Sequence, residues 1–141
     1  MARPFRLEVI TPEGPVIDIN VTSVVAPGID GYVGILANHR PFMTVLTVGL
    51  LEYELESGAR EVVAVTNGFL EVSDNRCTIL ADTAEPAPEI DLARAQEAYQ
   101  RAKDRLADAH PGIDVERART ALLRAQNRVR AAQRAGAPAH R

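Results

Sequence analysis

Four arginines near the C-terminal end are the residues whose spacing best suits a binding chemistry. Arg94 and Arg101 are seven residues apart, and Arg124 and Arg128 are four apart. On a helix each spacing places both members of the pair on one face. Because arginine offers permanently charged, planar donors that match phosphate groups, one interpretation is a cradle for a nucleotide. A solvated basic face is the other, and the residues alone leave both open.

Residues suited to catalysis or metal binding do not converge anywhere in the sequence. The glycine-rich stretch 27–49 holds neither a nucleophile–base pair nor a phosphate loop. The one cysteine, Cys77, excludes an internal disulfide and a cysteine-based zinc site within one chain, and we expect it to be a buried strand residue. His39 stands in a polar loop without neighbouring ligand residues, so its alternatives are a packing or loop hydrogen-bond role and a partner contact. We therefore expect no metal site, and nothing in the sequence supports a small β-sandwich enzyme.

The elements that must position these residues change type near residue 85. Before it, short alternating or β-branched runs are separated by glycine, proline and asparagine, as is typical of an antiparallel sandwich or barrel. Sharp turns are predicted at Asn67 and Gly68 and at Asp74 and Asn75. After it, alanines recur at helical spacing on both sides of a break at residues 110–112, with Asp91 and Asp114 as helix N-caps.

The predicted organisation is therefore a β-sandwich over residues 1–85, a linker over 86–90, a helical hairpin over 91–135 and a frayed tail over 136–141. The contact surface between the two helices is mostly alanine, which buries little apolar area. We expect the hairpin to be weakly docked and to be the moving part of the molecule.

The two parts differ in charge. Residues 1–89 hold 5 arginines and 13 acidic residues, a net charge of −8, whereas residues 90–141 hold 11 basic and 6 acidic residues, a net charge of +5. Residues 117–134 contain six arginines and no acidic residue, which suits an acidic protein surface. A nucleic-acid-binding module is the alternative, but the acidic body and the lack of interleaved basic and aromatic residues oppose it. Since no apolar run approaches a membrane span and no signal peptide is evident, we expect a soluble, intracellular protein.

Three segments together resemble the epsilon subunit of bacterial F-type ATP synthases. They are residues 31–44, residues 67–72, and residues 90–95 taken with Arg101, Ala102 and residues 124–128. The resemblance runs through nearly the whole chain, in order and in spacing. One departure is Ala37, where the family usually has proline.

The resemblance implies an all-β N-terminal sandwich of about ten strands followed by a C-terminal antiparallel α-helical hairpin. It also implies a non-catalytic rotor subunit, peripheral on the cytoplasmic face of the bacterial plasma membrane and in contact with the membrane only through the complex. The sandwich would bind the gamma subunit and the c-ring. The hairpin would extend toward the alpha and beta subunits and inhibit ATP hydrolysis.

The resemblance further implies site residues. No cofactor would be required, but a regulatory ATP would bind at Ile90, Asp91, Arg94, Ala95, Arg101, Arg124 and Arg128. Partner contacts would involve Asp30, Gly31, Tyr32 and His39 on the sandwich, and Arg119 and Arg130 on the hairpin. For Tyr32 the alternative is an aromatic ring that covers the sandwich end, and for Asp91 a helix cap is by itself a sufficient explanation.

Overall fold

A computed structural model describes residues 2–108, 112 and 114–135. These residues form seven strands, a short 3-10 turn (Ala87–Glu89) and two helices, α1 (Leu92–Ala107) and α2 (Val115–Ala135). The strands are β1 (Phe5–Thr11), β2 (Gly14–Gly28), β3 (Gly31–Ile35), β4 (Phe42–Leu46), β5 (Gly49–Leu55), β6 (Arg60–Ser73) and β7 (Arg76–Pro86). The predicted fold class, a β-sandwich followed by a helical hairpin, is confirmed.

The strands curl around one apolar core. Their order is β1-β7-β6-β4-β2-β3, with β5 paired to β2 and β6, and β1 also paired to β2. All pairings are antiparallel except the parallel one between β1 and β7. The core consists of large aliphatic side chains that are fully buried, among them Leu7, Leu51, Leu70 and Ile79.

The expected count of about ten strands is too high for the described residues, because long strands continue through corners. Asn67 and Gly68 have the positive φ of a turn, 45° and 143°, yet β6 runs through them. There the strand leaves β5, its partner up to Val65, and pairs with β4 from Gly68 onward. A Cβ at Gly68 would lie 1.9 Å from the Leu80 carbonyl oxygen, so this corner requires glycine. The prediction of a strand-ending turn there is wrong.

Two other local predictions are confirmed in the sandwich. Asp74 and Asn75 have φ of 51° and 58° and close the tight hairpin between β6 and β7. Cys77 is fully buried in β7, and burial raises the pKa of its thiol to about 12, which keeps the thiol protonated and unreactive.

The helices begin where the caps predict. A carboxylate oxygen of Asp91 accepts a hydrogen bond from the Arg94 amide at 3.2 Å, and Asp114 accepts one from the Arg117 amide at 3.1 Å. Alanines are the buried residues of α1, and they dominate those of α2: Ala95, Ala102, Ala118, Ala125 and Ala131. Among the described residues, neither helix is long and apolar enough to cross a membrane. Most of the predicted break at residues 110–112, and the predicted tail at 136–141, lie outside the described residues.

Candidate functional site

The hairpin packs on the outer side of β5 and β6, which we call the docking face. On the sandwich this face consists of Leu50, Val62 and Ala64, and the chain entering α1 covers it with Ala87 and Ile90. To this cluster the helices add Ala95 and Ala131, which are buried, and Val129 and Ala132, which are partly buried. This apolar cluster is separate from the sandwich core, and it contains fewer large side chains than the core does.

Asn127 supplies a polar contact at the centre of this interface. Its side chain is only 6% exposed, and its Nδ2 donates to the carbonyl oxygens of Gly49 at 2.8 Å and Val65 at 3.3 Å. Gly49 and Val65 are the last paired residues of β5 and β6 before β6 leaves for β4. The side-chain amide of Asn127 therefore bonds two backbone carbonyls at the point where β5 and β6 separate. Buried carbonyls at such a point need a donor other than the neighbouring strand.

Two ion pairs join the basic hairpin to the acidic sandwich. Arg128 Nε lies 2.9 Å from one oxygen of Glu85, and its Nη2 donates to the other oxygen at 3.1 Å. The Nε is buried and aligned with no acceptor, so the pair has one directed hydrogen bond and not a full bidentate fork. Arg134 pairs with Glu52. Because these side chains are between about a quarter and a half exposed, each pair is worth about 1 kcal/mol or less.

The ion pair of Arg128 lies at the edge of a cleft of about 330 Å³ between the helices and the sandwich. The cleft is lined by Arg124, Arg128, Asn127 and Glu85, with Thr66 and Thr83 on its floor. The hydroxyl oxygens of these threonines lie 2.7 Å apart. Alanines complete the lining (Ala64, Ala98, Ala121 and Ala125), so Arg124 and Arg128 are the groups in this cleft suited to an anion.

The structure brings only part of the predicted nucleotide set together. Arg124 and Arg128 share this cleft, whereas Arg101 lines a second opening of about 750 Å³ between the helices, with Arg105 and Arg117. Within the described residues, Arg94 lines neither opening and is exposed. Ile90 and Ala95 are buried in the docking interface, and Asp91 caps α1.

The predicted partner residues of the sandwich lie at the two ends of β3, with Asp30, Gly31 and Tyr32 at its start and His39 in the loop after it. Asp30 and Gly31 form the exposed tip between β2 and β3, and Gly31 has a φ of 129°. Tyr32 is 60% exposed, but its hydroxyl oxygen accepts a hydrogen bond from the Leu50 amide at 3.3 Å. His39 is half-buried, with its Nδ1 2.7 Å from the Arg40 carbonyl oxygen and its ring 5.8 Å from that of Phe42.

The predicted partner residues of the hairpin are on the outside of α2. Arg119 is exposed and pairs loosely with Glu116 at 3.4 Å, one turn before it on the same helix. Arg130 is exposed as well. Both guanidinium groups can therefore be reached from solvent while the hairpin is docked.

An exposed apolar row crosses the sandwich away from the hairpin. Val45 pairs with Phe69, and Phe69 with Leu80, so the three side chains stand beside one another across β4, β6 and β7. They are 41%, 53% and 50% exposed, and Met43, two residues before Val45 on β4, is 62% exposed. Contiguous apolar surface of this kind is typical of a protein–protein contact.

Sequence reasoning missed the residues that hold the hairpin in place. Asn127, Glu85 and Gly49 gave no distinctive signal, because their roles depend on which strand edge faces which helix. The nearest clue is Ala131, a small residue four positions after Asn127 and therefore on the same helix face. Within the described residues, no three His, Cys, Asp or Glu side chains cluster as metal ligands would.

The fold and its surfaces define a class of protein: a β-sandwich that carries a docked helical hairpin and presents contact surfaces at several places. Comparison with known families is more specific. The ATP synthase delta/epsilon chain β-sandwich domain matches residues 4–87, and the long α-helix domain of the same chain matches residues 89–133. The chain belongs to the delta/epsilon chain family of ATP synthases, as an epsilon-type member.

Individual relatives agree with this assignment. The ATP synthase epsilon chain of Carboxydothermus hydrogenoformans is 49% identical over 107 residues, which is 76% of this chain and 79% of the relative. The epsilon chain of Anaeromyxobacter sp. (strain K) is 48% identical over 102 residues, which is 72% of this chain and 76% of the relative.

Solved structures share the fold. A chain of the Euglena gracilis mitochondrial ATP synthase aligns with a TM-score of 0.78 at 21% identity, covering 94% of this chain and 81% of that one. A chain in the central stalk and c-ring structure of the Tetrahymena thermophila mitochondrial ATP synthase aligns with a TM-score of 0.55 at 17% identity. The alignment covers 96% of this chain and 98% of that one.

Proposed function

We propose that this chain is a non-catalytic subunit of the central stalk, in which the sandwich binds the rotor and the hairpin regulates ATP hydrolysis. Its partners would be the gamma subunit, the c-ring and, through the hairpin, the alpha and beta subunits. The subunit would sit at the cytoplasmic face of the bacterial plasma membrane and contact the membrane only through the complex. The observation that carries the proposal is that a basic hairpin packs on an acidic sandwich mainly through alanines, one buried amide and two ion pairs.

The sandwich offers two surfaces for the rotor. The apolar row of Val45, Phe69 and Leu80 is suited to an apolar face of gamma, since association would remove it from water. The exposed tip with Asp30, Gly31 and Tyr32 is suited to the polar loops of the c-ring. The two surfaces are formed by different strands, so both partners can bind at once.

The hairpin has the balance expected of a switch. The docked state is stabilised by one small apolar cluster in which the helices contribute mainly alanines, by the Asn127 amide and by two partly exposed ion pairs. Arg128 and Arg134 already pair with acidic groups of the sandwich. After release they would present, together with Arg119 and Arg130, a basic surface to an acidic region of beta.

ATP is the proposed ligand of the docked state. Arg124 and Arg128 converge on the cleft, and the incompletely satisfied Arg128 can exchange the Glu85 carboxylate for a phosphate group. Arg101 would have to reach in from the neighbouring opening, and Arg94 from the helix surface. ATP at ten times its dissociation constant would add about 1.4 kcal/mol to the docked state, enough to shift a balanced equilibrium.

Reconstitution of the ATPase complex tests the proposal. We expect a chain shortened after Ile90 to remain bound to gamma and the c-ring while ATP hydrolysis rises. Arg119→Ala with Arg130→Ala in the full chain should relieve inhibition without changing docking, since both side chains point away from the sandwich. Unchanged hydrolysis in both cases would contradict a regulatory hairpin, and loss of gamma binding would contradict the division into two parts.

Calorimetry on the full chain tests the ATP site. We expect Arg128→Ala to abolish binding and Arg94→Ala to weaken it less, because Arg128 lines the cleft and Arg94 does not. Equal binding by the unsubstituted protein and both variants, or no heat at millimolar ATP, would leave these arginines as a protein-facing surface.

A further inference from the structure

One peptide group connects the hairpin to Tyr32, which follows the exposed tip between β2 and β3. The carbonyl oxygen of Gly49 accepts a hydrogen bond from Asn127 Nδ2 at 2.8 Å. The amide of Leu50, which belongs to the same peptide group, donates to the Tyr32 hydroxyl oxygen at 3.3 Å. Asn127 and Tyr32 therefore hold the two ends of a single planar unit, whose atoms move together.

The local topology explains why a side chain takes the Leu50 amide. The ladder between β2 and β5 ends at the pair of Val25 and Glu52. If the register continued, Leu50 would face Pro27, whose carbonyl oxygen accepts instead from the Thr47 amide at 3.0 Å. Because backbone ladder pairing has ended at this point, the Tyr32 hydroxyl takes the acceptor position, although the tyrosine ring is largely exposed.

Close packing around Gly49 makes the connection stiff. A Cβ on this residue would lie 2.5 Å from Pro27 Cβ and 3.0 Å from the Tyr32 hydroxyl oxygen. The backbone at Gly49 is therefore closely packed against Pro27 and the Tyr32 hydroxyl. A displacement of the Gly49 carbonyl must be transmitted to Tyr32, because close-packed interiors shift as units.

We propose that the peptide group of Gly49 and Leu50 couples the position of the hairpin to that of Tyr32. With the hairpin docked, Asn127 polarises and fixes the peptide group, which strengthens its bond to Tyr32. When the hairpin leaves, the Tyr32 contact loosens. Such coupling is reciprocal, so a partner that fixes Tyr32 also favours docking.

The identity of that partner rests on the proposed function, in which Tyr32 faces the c-ring. The coupling itself does not depend on it and can be measured in the isolated full-length chain. Loss of coupling with intact regulation, or loss of regulation with intact coupling, would therefore separate the two proposals.

Nuclear magnetic resonance on three variants tests the coupling. Tyr32→Phe removes only the hydroxyl, and we expect the side-chain amide signals of Asn127 to shift. Asn127→Ala should shift the ring signals of Tyr32 and raise hydrogen exchange at the Leu50 amide about fivefold, the size expected for one lost hydrogen bond. In the double variant, exchange at Leu50 should rise less than the product of the single effects.

Two control variants remove a tyrosine hydroxyl and a side-chain amide that are not part of the proposed connection. Tyr99→Phe removes a hydroxyl from a half-buried ring of α1, and Gln126→Ala truncates the amide next to Asn127 on α2. We expect neither control to move the Leu50 signal. If Asn127→Ala releases the hairpin altogether, the Asn127 amide signals in Tyr32→Phe test the coupling by themselves, because that variant leaves the contacts of α2 in place. Unshifted Asn127 amide signals in Tyr32→Phe, or multiplicative effects in the double variant, would overturn the proposal.

Discussion

The sandwich core and the hairpin interface are stabilised by different kinds of side chain. The sandwich core excludes water from large residues such as Leu51 and Leu70, each of which stabilises the fold by about 1.5–3 kcal/mol. At the hairpin interface the helices contribute mainly alanines against Leu50, Val62 and Ile90, together with one buried amide and two ion pairs that are partly exposed. From this difference we expect the sandwich to act as a stable platform and the hairpin as an arm that opens at a lower free-energy cost.

The largest effect that distinguishes the two regions should come from truncating a leucine in each. Leu51→Ala leaves a cavity in the sandwich core and should lower the free energy of unfolding by about 2–5 kcal/mol. Leu122→Ala, on a half-buried residue of α2, should lower it far less. Denaturant titrations of both variants measure this difference, and equal losses would end the distinction between platform and arm.

The next effect concerns Asn127, which belongs to the hairpin but bonds the backbone of the sandwich. Asn127→Ala leaves the carbonyls of Gly49 and Val65 without this donor and should weaken docking by about 1 kcal/mol. Hydrogen exchange of α2 amides measures docking, while the denaturation midpoint of the sandwich should stay within the error of the titration. A fall in that midpoint with no change in α2 would assign Asn127 to the platform instead.

A smaller effect should come from the two ion pairs that join the hairpin to the sandwich. Glu85→Gln and Glu52→Gln keep the shape of each side chain and remove its charge, so docking should weaken by about 1 kcal/mol or less per pair. The loss should shrink at high salt, because exposed charges are screened. Glu13→Gln, an exposed residue at the turn between β1 and β2, is the charge-matched control. A salt-independent change would indicate that the pairs act through packing.

The smallest effect should come from an ion pair on the sandwich surface. A hydrogen bond from Arg6 lowers the pKa of the Asp18 carboxyl in the folded state. A lowered pKa contributes stability that is present above the unfolded pKa, near pH 4, and is lost as the pH falls through the folded value. Asp18→Asn should therefore flatten the acid side of the stability curve slightly and leave docking at neutral pH unchanged. A loss of docking at pH 7 would contradict the separation of the two regions.

Local patterns in the sequence were enough to predict the fold class, the caps of both helices and the hairpin turn at Asp74. They failed at Asn67 and Gly68, because the positive φ that closes a turn also allows a strand to change partners. The candidate site was harder to predict. Helical spacing placed Arg124 and Arg128 correctly on one face, but Asn127 and Glu85 meet only after the chain has folded. Arg94 looked equivalent to Arg128 in the sequence, and only tertiary packing distinguishes them.

Native-state hydrogen exchange across the full-length chain tests most directly whether the hairpin is a separately opening part. We expect the amides of α2 and the Leu50 amide to exchange through one opening with a low free energy, set by the docking contacts. Amides of β6 and β7 that flank Leu70 and Ile79 should exchange only through global unfolding. If α2 exchanged with the same free energy as these core strands, the hairpin would be part of the platform and the proposed switch would be contradicted.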